Sequence, residues 1–301
     1  GFGDSSRWSI IVLNIRLPQA LAAIAAGAGL SVSGAAMQSI LRNPLGSPFT
    51  LGISNAAAFG AAFSVMVLGT GVMHSTGADA LSVTRPYMTT VSAFAACVVT
   101  ALIILAVARI RRSSPEVMVL TGVALGALFS AGTMFLQYFA DDVQLAAIVF
   151  WTFGDLGRAS WRELAIISAV TAASSVYFIF NRWNYNAIDA GEETAKGLGV
   201  PVERKRLAGM LVASLVTATI ISFVGVIGFV GLVCPHIVRR ILGDDHRYLV
   251  PGSLIAGGVV LLAADTVART VLAPRVLPVA VLTAFVGAPV FIFLLVRGYR
   301  R

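Results

Sequence analysis

Eight long apolar runs constrain the fold of this 301-residue chain more than any other feature of its sequence. A helix that crosses the hydrocarbon core of a bilayer needs about 20 predominantly apolar residues. Only 12% of the residues are charged, whereas an ordinary soluble domain carries about 25%. We therefore predict a single all-α domain over 1–301, a polytopic membrane helical bundle with spans at approximately 17–41, 48–69, 87–109, 116–138, 162–181, 206–229, 248–272 and 277–297.

The segment 231–242 decides how often the chain crosses the membrane. It contains Gly231, Pro235 and His236, and it is too short to cross comfortably as a regular helix. If it crosses and the C-terminus is cytoplasmic, 15 lysines and arginines lie inside and 7 outside, whereas without this crossing the split is 11 to 11. Because cytoplasmic loops are enriched in Lys and Arg, the charges favour a short or broken crossing. The sequence thus predicts nine spans, with the C-terminus cytoplasmic.

The start of the chain is polar and reads GFGDSSRW. No short apolar region precedes it, so no cleavable signal peptide is visible. An odd number of spans with an external start suggests that an upstream helix is missing from this sequence.

Two stripes of small residues predict close helix packing. One consists of Gly122, Gly126 and Ser130, and the other of Ala23, Gly27, Ser31 and Ala35. Small residues carry helix association in lipid because they let backbones touch. Packing within one subunit is the simpler interpretation of each stripe, and a subunit interface is the alternative.

The supply of reactive residues excludes several functions. A phosphate-binding P-loop needs Gly-Lys before Ser or Thr, but Lys196 follows Ala195 and Lys205 follows Arg204. The three histidines are scattered and both cysteines lie in apolar runs, so we expect no metal site and no cofactor bound by this chain. Loops rich in arginine explain the net charge of +8 without nucleic acid.

A single acidic residue, Asp265, lies well inside a predicted span. Arg269 follows it at i+4, so an ion pair on the helix surface is the simplest account. Proton-coupled carriers keep carboxylates within their spans for a purpose, and channels need a polar or carbonyl-lined filter. Neither pattern is evident in this sequence.

The longest polar interruption, 182–206, reads RWNYNAIDAGEETAKGLGVPVERKR and lies inside by the charge count. Acidic residues from Asp189 onward and Lys196 near the end predict a short amphipathic helix at about 189–197. Gly197 and Gly199 should stop this helix, and Pro201 should prevent it from resuming. The segment is either a solvated connector or a surface on which a cytoplasmic partner docks.

The stretch NAIDAGEETAKGLGV resembles the coupling loop of the binding-protein-dependent ABC permeases of the FecCD type, which import vitamin B12, iron-siderophores and haem. Three further stretches agree in the family's order: IRLPQALAAIAAGAGLSVSGAAMQSILRNPLGSPFTLG (15–52), VGVIGFVGLVCPHIVRRILGDDHRYLVPG (224–252) and LLAADTVARTVLAPRVLPVAVLTAFVGAPVFIFLL (261–295). The resemblance covers nearly the whole chain. It implies a ten-span architecture whose first span is absent here.

The resemblance also implies a set of partners and site residues. The partners are a second copy of the chain, two cytoplasmic ATPase subunits that bind ATP and Mg, and an external substrate-binding protein, all at the inner (plasma) membrane. Arg16 and Arg269 match arginines that meet acidic residues of the binding protein, and Asn43 and Leu45 match an inner constriction. The 113–116 turn, with Ser114, Pro115 and Glu116, completes that gate. The residues that match the helix docked in the ATPase are Gly191, Glu192, Glu193, Thr194, Ala195, Lys196, Gly197, Leu198 and Gly199.

Two departures from the family pattern affect these assignments. Ser113-Ser114-Pro115-Glu116 lacks a Thr-Ser pair that the vitamin B12 permease has at its gate. Gln19 replaces the usual second arginine of RLPR, which removes one possible external contact. For Arg16 and Arg269, the alternative is that Arg16 extends to lipid headgroups and Arg269 only neutralises Asp265.

These observations predict the non-enzymatic permease subunit of an ABC importer for a metal chelate. Iron-siderophore is the first choice of cargo, and haem and cobalamin follow. The alternative is an ion-coupled secondary transporter or channel that works without an ATPase. A membrane-embedded enzyme finds no clustered His, Asp or Ser residues to support it.

Overall fold

The computed structural model describes residues 9, 11–70, 86–111, 114–272 and 276–298, and these residues form helices joined by short turns. Six of the helices are long and apolar enough to cross a membrane. The helices in chain order are α1 (Val12–Ile40, whose first turn Val12–Arg16 is π-helical), α2 (Ile53–Val67), α3 (Pro86–Ile110), α4 (Pro115–Tyr138), α5 (Asp142–Thr152), α6 (Trp161–Phe180), α7 (Arg182–Asp189), α8 (Glu192–Gly197), α9 (Val202–Val224), α10 (Val230–Leu242), α11 (His246–Thr270) and α12 (Val279–Gly298). The predicted all-α membrane bundle is confirmed.

Helix α1 forms the centre of the bundle and defines its two ends. At one end, which we call the Arg16 end, Gln19 donates to Asp265 near the end of α11 (3.0 Å). At the other, the α7–α8 end, Arg206 at the start of α9 donates to the carbonyl of Ile40 (3.0 Å). Both α9 and α11 therefore run antiparallel to α1.

The stripe Ala23, Gly27, Ser31 and Ala35 packs within the chain. All four residues are buried, and a Cβ added at Gly27 would collide with the backbone of Gly257 on α11. The two helix backbones can approach this closely because neither residue has a side chain.

The segment 225–242 is a broken crossing, as predicted. Gly225 (φ 80°) ends α9, and Phe229 (φ 66°) precedes α10. Helix α10 then packs through Gly231 against Leu30 and Gly34 of α1 and leads to the α7–α8 end. Left-handed backbone at both positions breaks the helical ladder, and thirteen helical residues complete the passage.

The predicted continuous span 48–69 is wrong in its first part. The chain leaves α1 at Leu41, stays non-helical as far as Gly52 (φ 77°), and becomes helical only at Ile53. Gly52 lies against Gly122 and Gly126 of α4, so α2 begins inside the bundle. Glycine in the left-handed conformation lets the chain turn there at no steric cost.

Helix α5 was not among the predicted spans, because its 11 residues are too few to cross. A capping box starts α5. The Asp141 carboxylate accepts a hydrogen bond from the backbone N–H of Gln144, and the Gln144 side chain accepts one from the backbone N–H of Asp141. Its last turn approaches the break after α9, where a Cβ on Gly225 would lie 2.7 Å from the Trp151 carbonyl. Traced through its contacts, the described chain passes between the two ends nine times, and α5 adds a short excursion from the Arg16 end.

Candidate functional site

The polar segment after α6 folds into two short helices instead of one. The helix predicted at about 189–197 is present with its acidic start and basic end, but it begins at Glu192, because Asp189 ends α7. Gly191 separates them with φ 127°, a conformation that L-residues rarely adopt. Helix α8 ends at Gly197, and Gly199 (φ 80°) and Pro201 follow, in agreement with the predicted stop.

Glu192 and Glu193 have different surroundings on α8. Glu192 contacts Lys196 (3.0 Å) and the buried Arg206 (3.2 Å), whereas the Glu193 side chain is 92% exposed. Hydrogen bonding from Lys196, followed by that from Arg206, lowers the pKa of Glu192, which therefore stays ionised at neutral pH. Glu192 fastens α8 to the bundle, and Glu193 remains almost fully exposed.

The remaining predicted coupling residues form an exposed face around a single buried anchor. Ala195 is fully buried and packs into the cluster that includes Tyr185 and Met210. The exposed residues are Glu193, Thr194, Lys196, Gly197, Leu198 and Gly199, and Gly191 is half-buried. This face, which we call the α8 face, presents both charges and the 71% exposed Leu198.

Sequence reasoning missed the residues that hold α7 and α8 in place. Arg206 is 1% exposed although it opens the apolar run of α9, and a buried charge needs partners. Asp189 contacts His246 (3.0 Å) and Ser39 (2.9 Å), which come from helices distant in sequence. The position of Arg206 at the edge of an apolar run was a sequence signal that it would need a partner. No local pattern links positions 39, 189 and 246.

The predicted gate residues lie at the α7–α8 end. The Asn43 side chain accepts from the backbone of Leu45 (2.9 Å), and Leu45 is 43% exposed. Ser114 donates to Glu116 across the start of α4, where Pro115 occupies the first turn. Ser113 lies outside the described residues. Both segments are thus shaped by local hydrogen bonds, and their assignment as a gate remains a prediction.

The two predicted docking arginines belong to one network at the Arg16 end. Arg269 pairs with Asp265 (2.7 Å), as the sequence predicted. Gln19 is 5% exposed and links that pair to Arg16, since its amide donates to Asp265 (3.0 Å) and its carbonyl accepts from Arg16 (3.5 Å). Arg16 is exposed, but the Arg269 side chain is only 19% exposed. The glutamine that departs from the family pattern therefore has an internal role.

A cavity of about 1020 Å³ opens beside this network. Its charged lining includes Arg158 and Asp155 as well as the Arg16–Gln19–Asp265–Arg269 network. Arg158 donates to the carbonyl of Phe150 (2.9 Å). The cavity combines charges of both signs with apolar side chains of α5 and the 276–279 segment.

The stripe on α4 contacts the start of α2. A Cβ on Gly122 would lie 2.9 Å from the Cα of Leu51, and one on Gly126 would lie 3.3 Å from the Cα of Gly52. Asn55 also donates to the Gly126 carbonyl (3.1 Å). Ser130, further along the same face, is half-buried. This stripe holds the non-helical 41–52 segment against α4.

Metal ligands are not grouped in the described part of the chain, where no cluster of three or more His, Cys, Asp or Glu residues could hold an ion. Cys97 and Cys234 are buried free thiols.

Similar proteins align with this chain over almost its whole length. MJ0087 of Methanocaldococcus jannaschii, a proposed ABC transporter permease protein, is 56% identical over 97% of this chain and 83% of its own length. The hemin transport system permease HmuU of Yersinia pestis is 37% identical over 98% of this chain and 85% of its own. The cobalamin import system permease BtuC of Halobacterium salinarum is 37% identical over 98% of this chain and 75% of its own.

The fold matches a solved inward-facing structure of a proposed metal-chelate type ABC transporter, with a TM-score of 0.85 and 29% identity over 96% of this chain and 88% of that one. The bundle is therefore that of an ABC transporter permease, a membrane transport protein. The model of the FecCD transport family matches residues 2–297, and the chain belongs to that family.

Proposed function

We propose that this chain is the permease subunit of a binding-protein-dependent ABC importer that carries a metal chelate. Two copies would form the pathway, two ATPase subunits would dock on the α8 faces, and a binding protein would dock at the Arg16 end. The observation that carries this proposal is the α8 face, because it is charged, exposed and anchored to the bundle from beneath. A carrier that works alone has no need of such a surface.

The cargo is proposed as a metal chelate, with an iron-siderophore first and haem or cobalamin next. Relatives named for hemin and for cobalamin are equally similar to this chain, at 37% identity each. The choice among cargoes therefore falls to the binding protein in this proposal, and the permease supplies a pathway for a bulky ligand.

Reconstitution in liposomes tests the proposal. The permease, its ATPase and its binding protein are expected to take up the chelate only with ATP inside and binding protein outside. Iron-siderophore, haem and cobalamin are supplied in turn, each after its affinity for the binding protein is measured. Uptake by the permease alone, driven by an ion gradient, would instead establish the secondary-transporter alternative.

The orientation is proposed from the positive-inside excess, with the α7–α8 end and the C-terminus in the cytoplasm. Because Cys97 and Cys234 are buried, a cysteine introduced at Glu193 gives a clean label site. A membrane-impermeant maleimide should label Glu193→Cys in inverted vesicles and not in intact cells. Labelling in intact cells would reverse the orientation and remove the ATPase docking assignment.

A further inference from the structure

Asp189, the last residue of α7, contacts three separate helices of the bundle. One of its carboxylate oxygens lies 2.9 Å from the hydroxyl of Ser39 on α1, 3.0 Å from Nε2 of His246 on α11, and 3.8 Å from Arg239 on α10. The three partners also contact one another, since Ser39 lies 2.9 Å from His246 and accepts from Arg239 (3.0 Å). We call these four residues the Asp189 cluster.

The Asp189 cluster is enclosed by the bundle. Ser39 and His246 are each 1% exposed, and the side chains of Arg239 and Asp189 are 17% and 25% exposed. Buried ionic groups of this kind add little net stability, because desolvation offsets their attraction. Their contacts nevertheless require defined positions, because a shift of the Asp189 carboxylate changes its distances to Ser39, His246 and Arg239 together. The cluster is therefore better suited to fix positions than to stabilise the fold.

The same contacts continue from Arg239 to the predicted gate. Arg239 donates through Nε to the side chain of Gln38 (3.3 Å), which in turn donates to the carbonyl of Leu232 on α10 (3.2 Å). The backbone carbonyl of Gln38 accepts from the backbone of Asn43 (3.0 Å). Asp189 is thus joined through Arg239 and Gln38 to the loop that holds Asn43 and Leu45.

A second attachment reaches the same end of α1 from α8. Glu192 pairs with Arg206 (3.2 Å), and Arg206 donates to the carbonyl of Ile40 (3.0 Å). Both helices of the 182–199 segment therefore contact the last turn of α1, α7 through Asp189 and α8 through Glu192 and Arg206. When that segment moves, α1 and the following loop must move with it, or these contacts must break.

We propose that Asp189 is a positioning residue that transmits displacement of the 182–199 segment to α1, α10 and α11, and through Gln38 to the 41–45 loop. This proposal rests on the proposed function, since it presupposes an ATPase that moves α8. It assigns no contact between Asp189 and the ATPase or the cargo. Asp189 couples the ATPase to the cargo pathway because its contacts hold the 182–199 segment and the bundle in one shared arrangement in each state.

The test compares Asp189→Asn with the wild type in the complete complex with ATPase and binding protein, in liposomes. Asn keeps the size and loses the charge that holds Arg239 and His246. We expect the variant to bind its ATPase at normal stoichiometry, because the α8 face is unchanged. We expect chelate transported per ATP hydrolysed to fall by about tenfold, because the ATPase and the gate are then less strongly coupled.

Asp244→Asn is the matched control. Asp244 pairs with the same guanidinium (3.0 Å), but its side chain is 79% exposed and lies outside the Asp189 cluster. Its loss should leave transport per ATP unchanged. If Asp189→Asn does not assemble, Ser39→Ala and Arg239→Gln carry the test, and each should lower the same ratio, with a combined effect smaller than their sum because both act through one network.

A distance measurement at the predicted gate distinguishes loss of the transmitted movement from a general loss of stability of the complex. Spin labels at Leu45→Cys in the two copies should change their separation when ATP binds in the wild type and the Asp244→Asn control. In Asp189→Asn the change should be lost while the melting temperature of the complex is retained. An unchanged ratio and an unchanged distance response in Asp189→Asn would overturn this inference alone. A wild type that binds no ATPase would overturn the proposed function.

Discussion

Glu192 and Glu193 are adjacent in the chain, but they interact with different partners. Glu192 pairs with the buried Arg206, so its removal takes one carboxylate contact away from a guanidinium inside the bundle. Glu193 is fastened only by a longer contact to Lys196 (3.5 Å) and is almost fully exposed. A test of docking that changes both residues would therefore mix two effects.

Single substitutions separate these effects. Glu193→Arg should reduce co-purification with the ATPase and leave the melting temperature unchanged, because complementary charges across an interface are reversed. Glu192→Ala should instead lower stability by ~1–3 kcal/mol, since the buried Arg206 loses a carboxylate contact. Glu203→Arg, on an exposed glutamate of the same end outside α8, is the control. Normal ATPase stoichiometry and transport in Glu193→Arg would remove the docking assignment.

Arg16 and Arg269 also differ in their freedom to meet a partner. Arg16→Glu should slow association of the binding protein, on the order of threefold to tenfold at low salt and much less at high salt, because exposed charges are screened. Asp265→Asn should speed association at low salt, since it removes the charge that neutralises Arg269. Association rates at two salt concentrations measure both. If neither variant alters the rate at low salt, both arginines serve only the lipid and ion-pair roles.

At the scale of elements, the contact between α4 and the start of α2 depends on two glycines. Leucine at either position must displace backbone atoms of Leu51 or Gly52, which lie 2.9 Å and 3.3 Å from the added Cβ. Overpacking of this kind costs ~1–3 kcal/mol. The segment that moves would be 41–52, which contains the predicted gate.

Gly126→Leu should therefore lower thermal stability and transport, and Gly122→Leu should lower them further because its contact is closer. Ala124→Leu adds nearly the same bulk, one carbon less, on an exposed face of the same helix and serves as the control. Melting temperature and membrane abundance are measured for all three. Gly126→Leu with the stability of Ala124→Leu would exclude a close contact at this position in the membrane.

For the whole molecule, the sequence predicted what depends on local composition. Apolar runs of about 20 residues located the long helices, and the charge asymmetry favoured the broken crossing at 231–242. The late start of α2 and the existence of α5 were not predicted. Helices this short lack the apolar run of about 20 residues that marks a membrane span. The Asp189 cluster escaped for another reason, since its contacts join positions 50 or more residues apart.

The two non-helical segments, 41–52 and 225–229, meet inside the bundle, where Phe49 lies against Gly228. Leu51 and Gly52 contact α4 at Gly122 and Gly126, about 10–17 Å from the start of that helix, given the rise of ~1.5 Å per helical residue. Amide hydrogens there lack the regular helical ladder, so local opening requires less free energy than in the long helices.

Hydrogen–deuterium exchange should therefore be faster at 41–52 and 225–229 than in the flanking helices, although Gly52 and Gly228 lie inside the bundle. Peptides from α11, buried to a similar depth, provide the reference. Equal protection across these peptides in lipid nanodiscs would contradict the expectation. In most membrane bundles exchange decreases steadily toward the middle of the bilayer. Here the profile should contain an internal maximum, because backbone packed inside the bundle at Gly52 and Gly228 exchanges early.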